Sequence, residues 1–391
     1  MEPISAFYIA GLPRIFFGTG TFSGLHKIIQ PYGHDALIIT GGESLKKSGR
    51  LDALTLQLDQ GKIRYRTVSV RGEPTAKSID TIASEFRKTP VSVVVAIGGG
   101  SVLDCGKAVA AMLAETGSVC DYLEDVGDRK PSGAKVPFIA VPTTAGTGSE
   151  ATKNAVVCDR SKSYKKSLRH DAYMPDAAVV DPELTLGAPR QITAACGLDA
   201  VAQLIESYTS TRANVFTDSL ALKALLLASE SLLPLCLDRK NDISLRGKMS
   251  YAALISGITL SHAGLGAVHG MAGPLGGLFP VPHGVACGKL LHPVMSLVIK
   301  KIIDENNIAA QKRFADIGRL LTVEAGGEDV FYCRHFLDVL HTWTQTLELP
   351  QLSCFGMTAA DIEKISSLAD SKNSPAVLSR EEMNMILESV L

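Results

Sequence analysis

The stretch VSVVVAIGGGS, residues 91–101, decides the fold, because a run of β-branched residues ends directly in three glycines. Such a run is typical of a parallel strand that is buried on both faces. Val102 to Leu113, which follows the glycines, has helical composition. Gly98–Ser101 (GGGS) is therefore predicted to form a strand-to-helix turn, with Asp104 one turn into the helix.

Similar short apolar runs occur on both sides of this stretch in the first half of the chain. Ala36 to Thr40 (ALIIT) ends at Gly41-Gly42, Arg64 to Val70 reads as a second strand, and Phe138 to Val141 reads as another. Helix-like stretches separate these strands. The alternation predicts an α/β domain with a doubly wound parallel sheet and helices on both faces.

The pattern changes after Asp181–Thr185 (DPELT), where helical spacing takes over. We therefore expect two domains, an α/β nucleotide-binding domain over residues 1–185 and an all-helical domain over residues 186–391. The predicted helices of the second domain are Ala200 to Ser210, Ser219 to Cys236, Leu245 to Ser256, Val294 to Ile308 and Ala360 to Ala369.

Composition excludes several classes of protein. With 39 basic and 40 acidic residues the chain carries a formal net charge of −1, which argues against a binder of nucleic-acid phosphates. The apolar runs, such as Val91 to Ile97, are far shorter than the roughly 20 residues of a membrane span. Met1–Ala10 lacks the basic start and apolar stretch of a signal peptide. We expect a cytoplasmic protein with neither nucleic-acid nor membrane partners.

The eight cysteines are scattered, and no two form a Cys-x-x-Cys pair. This spacing supports neither a disulfide framework nor a zinc knuckle. They are interpreted as reduced and mostly buried, with a catalytic thiol as the alternative.

Two loops suggest a nucleotide site. The glycines of Gly98–Ser101 would let a pyrophosphate approach the backbone at a helix N-terminus. Residues 142–150 (PTTAGTGSE) follow the next predicted strand and are rich in hydroxyls. Each loop alone could be an ordinary turn, but the carboxyl ends of successive strands are where an open sheet binds its ligand.

A third group of polar residues lies in the helical half. Asp199 is predicted to start the helix GLDAVAQLIESY, with Gln203 four residues later on the same face. VHGMAGPLGGLFPVPHG contributes His269 and His283. A carboxylate and two imidazoles suit Zn²⁺ or Fe²⁺. Asp199 as a helix cap after Gly197, and His283 as a loop histidine, are the alternatives.

The motifs GGGSVLDCGK, PTTAGTGSEAT, PDAAVVDPELT, GLDAVAQLIESY and VHGMAGPLGGLFPVPHGVACG occur in the order seen in the iron-containing (group III) alcohol dehydrogenase family. The chain resembles that family from about Pro13 to its C-terminal helices. The resemblance implies a dehydroquinate synthase-like fold. It also implies hydride transfer between NAD(P)H and an alcohol, aldehyde or ketone, with a divalent ion that polarises the substrate oxygen.

In the family this resembles, an aspartate and three histidines hold the ion. The corresponding residues here are Asp199, Gln203, His269 and His283, so one histidine is replaced by glutamine. A substrate-side histidine is likewise replaced by Gly273. His262, where asparagine is more usual, is expected to compensate in part, and the catalytic residues implied are therefore His269, His283 and His262. The two replacements leave both the metal, Fe²⁺ or Zn²⁺, and ordinary alcohol dehydrogenase activity open.

NADP is favoured over NAD as the cofactor. The strand ALIIT ends without the carboxylate that an NAD-preferring site usually presents to the ribose. GGESLKKSGRLD resembles the NADPH-using butanol dehydrogenase branch of the family, and Ser44 with a lysine could bind the extra phosphate, although Glu43 opposes this. The residues expected to contact the nucleotide are Gly41, Gly42, Ser44, Gly98, Gly99, Gly100, Ser101, Asp104, Thr143, Thr144, Thr147 and Ser149.

Two other functions compete with an ordinary alcohol dehydrogenase. The first is a specialised or metal-independent reductase of a functionalised carbonyl, such as maleylacetate or a phosphonate- or sugar-derived aldehyde. The second is a nucleotide-binding relative that has lost catalysis. A small alcohol or aldehyde is the expected substrate in the main hypothesis, and a homo-oligomer, a dimer, is the expected assembly.

Overall fold

The computed structural model describes residues 4, 6–322 and 326–391. Residues 1–3 and 5, which belong to the segment considered above for a signal peptide, lie outside the described residues, as do residues 323–325. The chain divides into two compact units. The α/β unit contains Ala10–Thr144 and Gly148–Leu186, and the helical unit contains Ala145–Thr147, Gly187–Leu391 and the described part of Met1–Ile9.

The α/β unit confirms the predicted doubly wound sheet. Its six-stranded sheet has the order β1-β8-β5-β4-β2-β3, and every pairing in it is parallel. A separate antiparallel pair is formed by β6 and β7. The elements are β1 Arg14–Phe17, α1 Leu25–Ile29, β2 Asp35–Thr40, α2 Ser44–Lys47, α3 Arg50–Gln60, β3 Arg64–Ser69, α4 Ala76–Phe86, β4 Val93–Gly98, α5 Gly100–Met112, β5 Phe138–Pro142, β6 Asn154–Asp159, β7 Tyr164–Arg169 and β8 Ala177–Val180.

The central strand β4 explains the two-faced core. Its side chains alternate, so that Val94 and Ala96 pack into the cluster beneath α4 and α5, while Val93, Val95 and Ile97 pack into the cluster on the opposite face. Gly106 brings α5 close to the sheet, because a Cβ there would lie 2.5 Å from the Cβ of Ala96. Burial on both faces is what the β-branched run predicts.

Four strands, β1, β6, β7 and β8, were not predicted, and the ends of some predicted strands differ from those in the structure. β1 and β8 have only four residues each, too few to show a period, and the β6–β7 pair was also overlooked. The strand expected from Val91 begins at Val93. β3 lies at the sheet edge, which is why RYRTVS is largely polar and exposed.

The helical unit is all-α among its described residues, as expected. Its helices are α6 Arg190–Thr209, α7 Val215–Leu237, α8 Ile243–Ala263, α9 Ala267–Leu278, α10 His283–Asp304, α11 Ile308–Leu321, α12 Asp329–Leu347, α13 Ile362–Leu368 and α14 Arg380–Ser389. Four of these, α9, α11, α12 and α14, were not predicted.

Two predictions about helix starts are wrong. α6 begins at Arg190, so Asp199 is an interior residue and neither starts nor caps the helix. α10 begins at His283, well before the expected Val294, so His283 is a helix residue rather than a loop histidine. In both helices the first turns are rich in Gly, Ala, Cys or Thr, whose weak helical pattern is outweighed by tertiary packing.

Two segments satisfy a length-and-composition test for membrane spans: α7 alone, and α8 with α9 as a pair bent by 101°. α7 nevertheless packs along α6 and α8, and Asp218 in its first turn pairs with Arg313 at 2.5 Å. Extensive helix packing and an interior ion pair are the pattern of a core helix.

Candidate active site

Three loops meet at the carboxyl edge of the sheet. β2, β4 and β5 are neighbours, and the strand order reverses between β2 and β4, where an open α/β sheet binds its ligand. The backbone N–H of Thr143 donates to Gly98 O at 2.9 Å, which ties the loop after β5 to the loop after β4. We call Gly41–Ser44, Gly98–Ser101 and Thr143–Thr144 the strand-end region.

The glycines of this region serve different purposes. A Cβ on Gly98 would lie 2.6 Å from the Cβ of Val102, so this glycine is required by the turn itself. A Cβ on Gly99 would meet only Thr144, at an ordinary 3.4 Å. Gly99 is the N-cap of α5 and makes no side-chain capping bond. The start of α5 therefore presents backbone N–H groups and a partial positive charge without crowding, as a phosphate requires.

Asp104 and Ser149, both predicted nucleotide contacts, lie in a polar network behind the loop. Ser149 Oγ donates to Asp104 Oδ1 at 2.5 Å, and Asp104 Oδ2 accepts from the Val156 N–H at 3.2 Å. The buried Lys107 ammonium donates to Ser149 O, and also to Thr152 Oγ1 and Asn154 O at 2.8 Å each.

The same network contains two buried groups whose pKa values are strongly shifted. Burial lowers the pKa of Lys107 to about 8 and raises the pKa of Glu150 to about 7. A charged lysine whose hydrogens are satisfied by oxygens can hold this segment from within, so the network fixes the chain around Ser149, between β5 and β6.

Basic side chains surround the end of β2. Ser44 begins α2 and is exposed, as is Gly42. Glu43 pairs with Lys47 at 2.9 Å and lies 3.8 Å from Arg71, which follows β3. Arg71 was not singled out in the sequence, although its position just after a strand neighbouring β2 is the signal that could have found it.

Thr147 belongs to the other unit. It lies in Ala145–Thr147, which groups with the helices, whereas Thr143 and Thr144 belong to the α/β unit. Next to it, Gly146 packs against Cys196, where a Cβ would lie 2.7 Å from the Cys196 Cβ.

Four potential metal ligands converge in the helical unit. Asp199 lies inside α6, His269 in the first turn of α9, and His283 and Cys287 one turn apart on α10. Their ligand atoms all lie within 4.8 Å of one another. We call these four residues the metal cluster. Sequence reasoning identified all but Cys287.

The distances within the cluster are short. His269 Nε2 lies 3.3 Å from Asp199 Oδ1, and His283 Nε2 lies 3.8 Å from the same oxygen. Cys287 Sγ lies 3.6 Å from His269 Nε2 and 3.7 Å from His283 Nε2. Asp199 is 1% exposed and Cys287 is fully buried, whereas the His283 side chain is 29% exposed, so the cluster is buried on one side and open to solvent at His283.

Glu206 holds His269 in place. One carboxylate oxygen lies 2.6 Å from His269 Nδ1, and the other accepts from the Val268 N–H at 2.6 Å. A carboxylate on Nδ1 keeps the proton there and leaves Nε2 facing Asp199 as a donor of electrons. Glu206 was missed, although polar residues at 199, 203 and 206 mark one face of an otherwise apolar helix.

Gln203 makes a hydrogen bond to a residue outside the metal cluster. Its Oε1 accepts from Ser256 Oγ at 2.6 Å, and the side chain is buried. The structure thus brings together three of the four residues at the positions that bind metal in the resembling family.

The two other predicted substrate-side positions differ from each other. His262 Nδ1 lies 2.7 Å from Ile258 O, and its buried Nε2 has no hydrogen-bond partner among the described residues. At Gly273 in α9, a Cβ would meet no atom within 4 Å. His262 therefore retains one uncommitted nitrogen, and Gly273 lies beside open space.

The electrostatics of the cluster suit a cation. Burial opposes ionisation of Asp199, but the imidazoles of His283 and His269 outweigh it and lower the Asp199 pKa. Burial also opposes a charged His269, but Cys287, Asp199 and Glu206 together raise the His269 pKa. Burial raises the pKa of the Cys287 thiol to about 12.

The chemical types of the four ligand atoms indicate which metal ion the cluster would bind. Two imidazole nitrogens, one carboxylate and one sulfur suit Zn²⁺ or Fe²⁺, whereas Mg²⁺ and Ca²⁺ require oxygen ligands. The residues present therefore fit a divalent transition metal.

Comparison with known proteins covers nearly the whole chain. The family model described as iron-containing alcohol dehydrogenase matches residues 13–182, and that of the Fe-containing alcohol dehydrogenase family, C-terminal, matches residues 193–391. The probable alcohol dehydrogenase EutG of Escherichia coli is 34% identical over 310 residues, covering 79% of this chain and 75% of that protein.

Two further matches are nearly full length. The NADPH-dependent butanol dehydrogenase of Clostridium saccharobutylicum is 27% identical and covers 97% of both chains. A crystal structure of 1,3-propanediol oxidoreductase superposes with a TM-score of 0.89 at 27% identity, over 99% of this chain and 100% of that one.

Proposed function

The chain belongs to the iron-containing alcohol dehydrogenase family, and we propose that it is an NAD(P)-dependent dehydrogenase of alcohols whose ion is held by Asp199, His269 and His283. We assign the nucleotide to residues 1–185 and the metal and substrate to residues 186–391. The convergence of the ligand atoms of Asp199, His269 and His283 within 4.8 Å of one another is the observation that carries the proposal.

In this function a nicotinamide would exchange a hydride with the substrate carbon, and a divalent ion held by Asp199, His269 and His283 would polarise the substrate oxygen. The chain's residues position these groups. The first turn of α5 binds the pyrophosphate through Gly99–Ser101, with Thr143, Thr144 and Thr147 assigned to the ribose and nicotinamide. Glu206 fixes the tautomer of His269, and His262 Nε2 is assigned as the acceptor of the alcohol proton.

The test combines metal removal with a substrate panel. Chelator-treated protein should lose NAD(P)H oxidation against aldehydes and regain it when Zn²⁺ or Fe²⁺ is added. Asp199→Asn should not regain it, because the amide cannot supply the negative charge that the ion requires. Full activity in protein shown to be metal-free would reject the proposal in favour of the metal-independent alternative.

NADPH is proposed as the preferred cofactor. The support is the absence of a carboxylate directly at the end of β2, the exposed Ser44, and the basic Lys47 and Arg71 on either side of Glu43. The similarity to an NADPH-dependent butanol dehydrogenase agrees with this choice. The ratio of kcat/KM for NADPH and NADH decides it, and a tenfold preference for NADH would reject it.

A specialised carbonyl substrate is the second candidate, and the open space at Gly273 favours it. A polar or bulky substituent could occupy the volume that a side chain would otherwise fill. Aldehydes with and without such a substituent distinguish the candidates. Gly273→His should lower kcat/KM for the larger aldehydes while leaving acetaldehyde and butanal unaffected.

A homodimer and a cytoplasmic location are also proposed. β1 is the edge strand of the described sheet, and Leu12, Ile15 and Phe17 are exposed around it, which suits an interface. Phe17→Glu should shift the molar mass measured by light scattering from dimer to monomer. All eight cysteines are free thiols, as a reducing compartment requires, and cell fractionation tests the location.

A further inference from the structure

Cys287 has no role in the function described so far, yet it lies inside the metal cluster. Resting on the proposed metal-dependent function, we propose that Cys287 is the fourth protein ligand of the ion. It takes the part that the family resemblance gives to residue 203. Three observations support this assignment: the spacing of His283 and Cys287 on α10, the distances between the ligand atoms of the cluster, and the hydrogen bond that Gln203 accepts from Ser256.

The first argument is the position of Cys287 on its helix. His283 and Cys287 are four residues apart on α10, so both side chains lie on one face. Residues 199 and 203 have the same spacing on α6. The i, i+4 ligand pair that the family resemblance places on α6 therefore has a counterpart of the same spacing on α10, where the second residue is Cys287.

The second argument is the match between the observed distances and a tetrahedron. With bonds of about 2.05 Å to N and O and about 2.3 Å to S, a tetrahedral Zn²⁺ requires O–N edges of about 3.3 Å and S–N edges of about 3.6 Å. The observed O–N distances are 3.3 and 3.8 Å. The observed S–N distances are 3.6 and 3.7 Å. Three of these four edges thus match a tetrahedral ion with sulfur as one vertex, and the edge from Asp199 to His283 is about 0.5 Å longer than the tetrahedron requires.

The third argument is the environment of the alternative ligand. Gln203 Oε1 accepts a 2.6 Å hydrogen bond from Ser256 Oγ, so one of the two lone pairs of its carbonyl oxygen is engaged by a neighbouring hydroxyl. Cys287 is fully buried and contacts both histidine nitrogens. A thiol used only for packing would not need to lie within 3.7 Å of two imidazole nitrogens and within 4.8 Å of a carboxylate oxygen.

Binding converts the thiol to a thiolate. The S–H bond breaks, a metal–sulfur bond forms, and the proton leaves to the buffer, so the sulfur keeps its electron pair and no oxidant is needed. Because thiolate is a soft donor, the complete set of one sulfur, one carboxylate oxygen and two imidazoles favours Zn²⁺ or Co²⁺ over harder ions such as Mn²⁺.

The test uses Co²⁺ added to the metal-free full-length protein, because a cobalt–thiolate bond gives an intense near-ultraviolet charge-transfer band and imidazole or carboxylate does not. We expect this band in the wild type at one Co²⁺ per chain. Cys287→Ser should bind Co²⁺ without the band, and its Zn²⁺ dissociation constant should rise by at least about tenfold, the lower end of what even indirect ligand losses cost. Cys236→Ser, a buried thiol on α7, is the matched control and should keep both.

Gln203→His in the Cys287→Ser background should recover Zn²⁺ affinity without restoring the band, since it returns a fourth ligand from α6. A wild-type Co²⁺ complex without the band overturns the assignment of Cys287 and leaves the proposed function standing. A band in protein that has no dehydrogenase activity supports the ligand and overturns the function instead. A protein that binds neither Co²⁺ nor Zn²⁺ overturns both.

Discussion

The strand-end region and the metal cluster are built by opposite means. In the strand-end region the binding groups are backbone N–H groups at the start of α5, and the residues come from short contiguous loops after three neighbouring strands. In the metal cluster the binding groups are side-chain atoms from α6, α9 and α10, separated by as many as 88 positions in the chain (287 − 199). Ligand binding in the strand-end region is therefore sensitive to added side-chain atoms, and ligand binding in the metal cluster is sensitive to the loss of a ligand atom.

This difference determines which changes each region tolerates. Adding a Cβ blocks a backbone site without altering any charge, whereas an isosteric amide in the cluster leaves the packing intact and removes a charge. The buried Lys107–Asp104–Glu150 network complicates the contrast, because the segment that continues from the loop after β5 is held at Ser149 by an ionisable side chain.

The largest effect is expected at that network. Burial raises the pKa of Glu150 to about 7, so the folded protein holds a proton that the unfolded chain releases near pH 4.5. The stability from this group is fully present below pH 4.5 and is lost as the pH rises through 7. Glu150→Gln has no group that ionises here. Its free energy of unfolding, relative to that of the wild type, should therefore rise by up to about 3 kcal/mol between pH 4.5 and 7.

Urea unfolding of both proteins at a series of pH values measures this difference. A difference in free energy of unfolding that did not change with pH would mean that Glu150 is ionised in the folded protein. The segment around Ser149 would then rest on a charged pair rather than on a neutral acid beside a lysine.

The next effect is expected at Glu206, which does not bind the ion. Glu206→Gln leaves one oxygen for two donors, so the new amide N–H₂ would face either His269 Nδ1–H or the Val268 N–H, and the contact that orients the His269 ring would be weakened in both cases. We expect Zn²⁺ affinity to fall by about 10–100-fold, measured by competition with a chromophoric chelator. Glu230→Gln, an exposed residue paired with Lys248, is the control. Unchanged affinity would show that orientation by Glu206 is not needed.

A smaller effect is expected in the strand-end region. Gly99→Val adds atoms where only Thr144 is near, so the fold should persist while the nucleotide dissociation constant rises by about tenfold. Gly98→Ala also adds a Cβ, but we expect it to affect the stability of the fold first. Its Cβ would overlap Val102, so it should lower the melting temperature before it affects the nucleotide. Equal nucleotide affinity in Gly99→Val and the wild type would reject the assignment of the phosphate site to this loop.

The strand-end region and the metal cluster also differ in how much of each could be predicted from the sequence. The strand-end loops were predictable because the strand VVVAIG and its glycines are adjacent in the chain, and each face of β4 is buried. Asp199, His269 and His283 were found mainly through a family resemblance. Cys287 was interpreted as a buried apolar residue, although its spacing from His283 carried the signal.

The missed features have physical causes. Glu206 could not be connected to His269 without knowing that α6 and α9 bring them within 2.6 Å. α9 was not predicted, because Gly270, Gly273 and Pro274 disfavour a helix in isolation. Packing decides that segment, since a Cβ on Gly270 would lie only 1.8 Å from Asp370 O.

The smallest effect is expected at Gly273, on the same helix as His269. A Cβ there would meet no atom within 4 Å, and the glycine lies inside α9, so Gly273→Ala should stabilise the protein by about 0.5–1 kcal/mol through lower backbone entropy in the unfolded chain. Gly270→Ala is the matched control three residues earlier, and it should destabilise the protein because its Cβ collides with the Asp370 backbone. Urea unfolding of the two zinc-loaded variants measures both effects, and Zn²⁺ affinity should be unchanged in Gly273→Ala. A loss of stability in Gly273→Ala would mean that the space beside it is not open, and the case for a larger substrate at this position would fall with it.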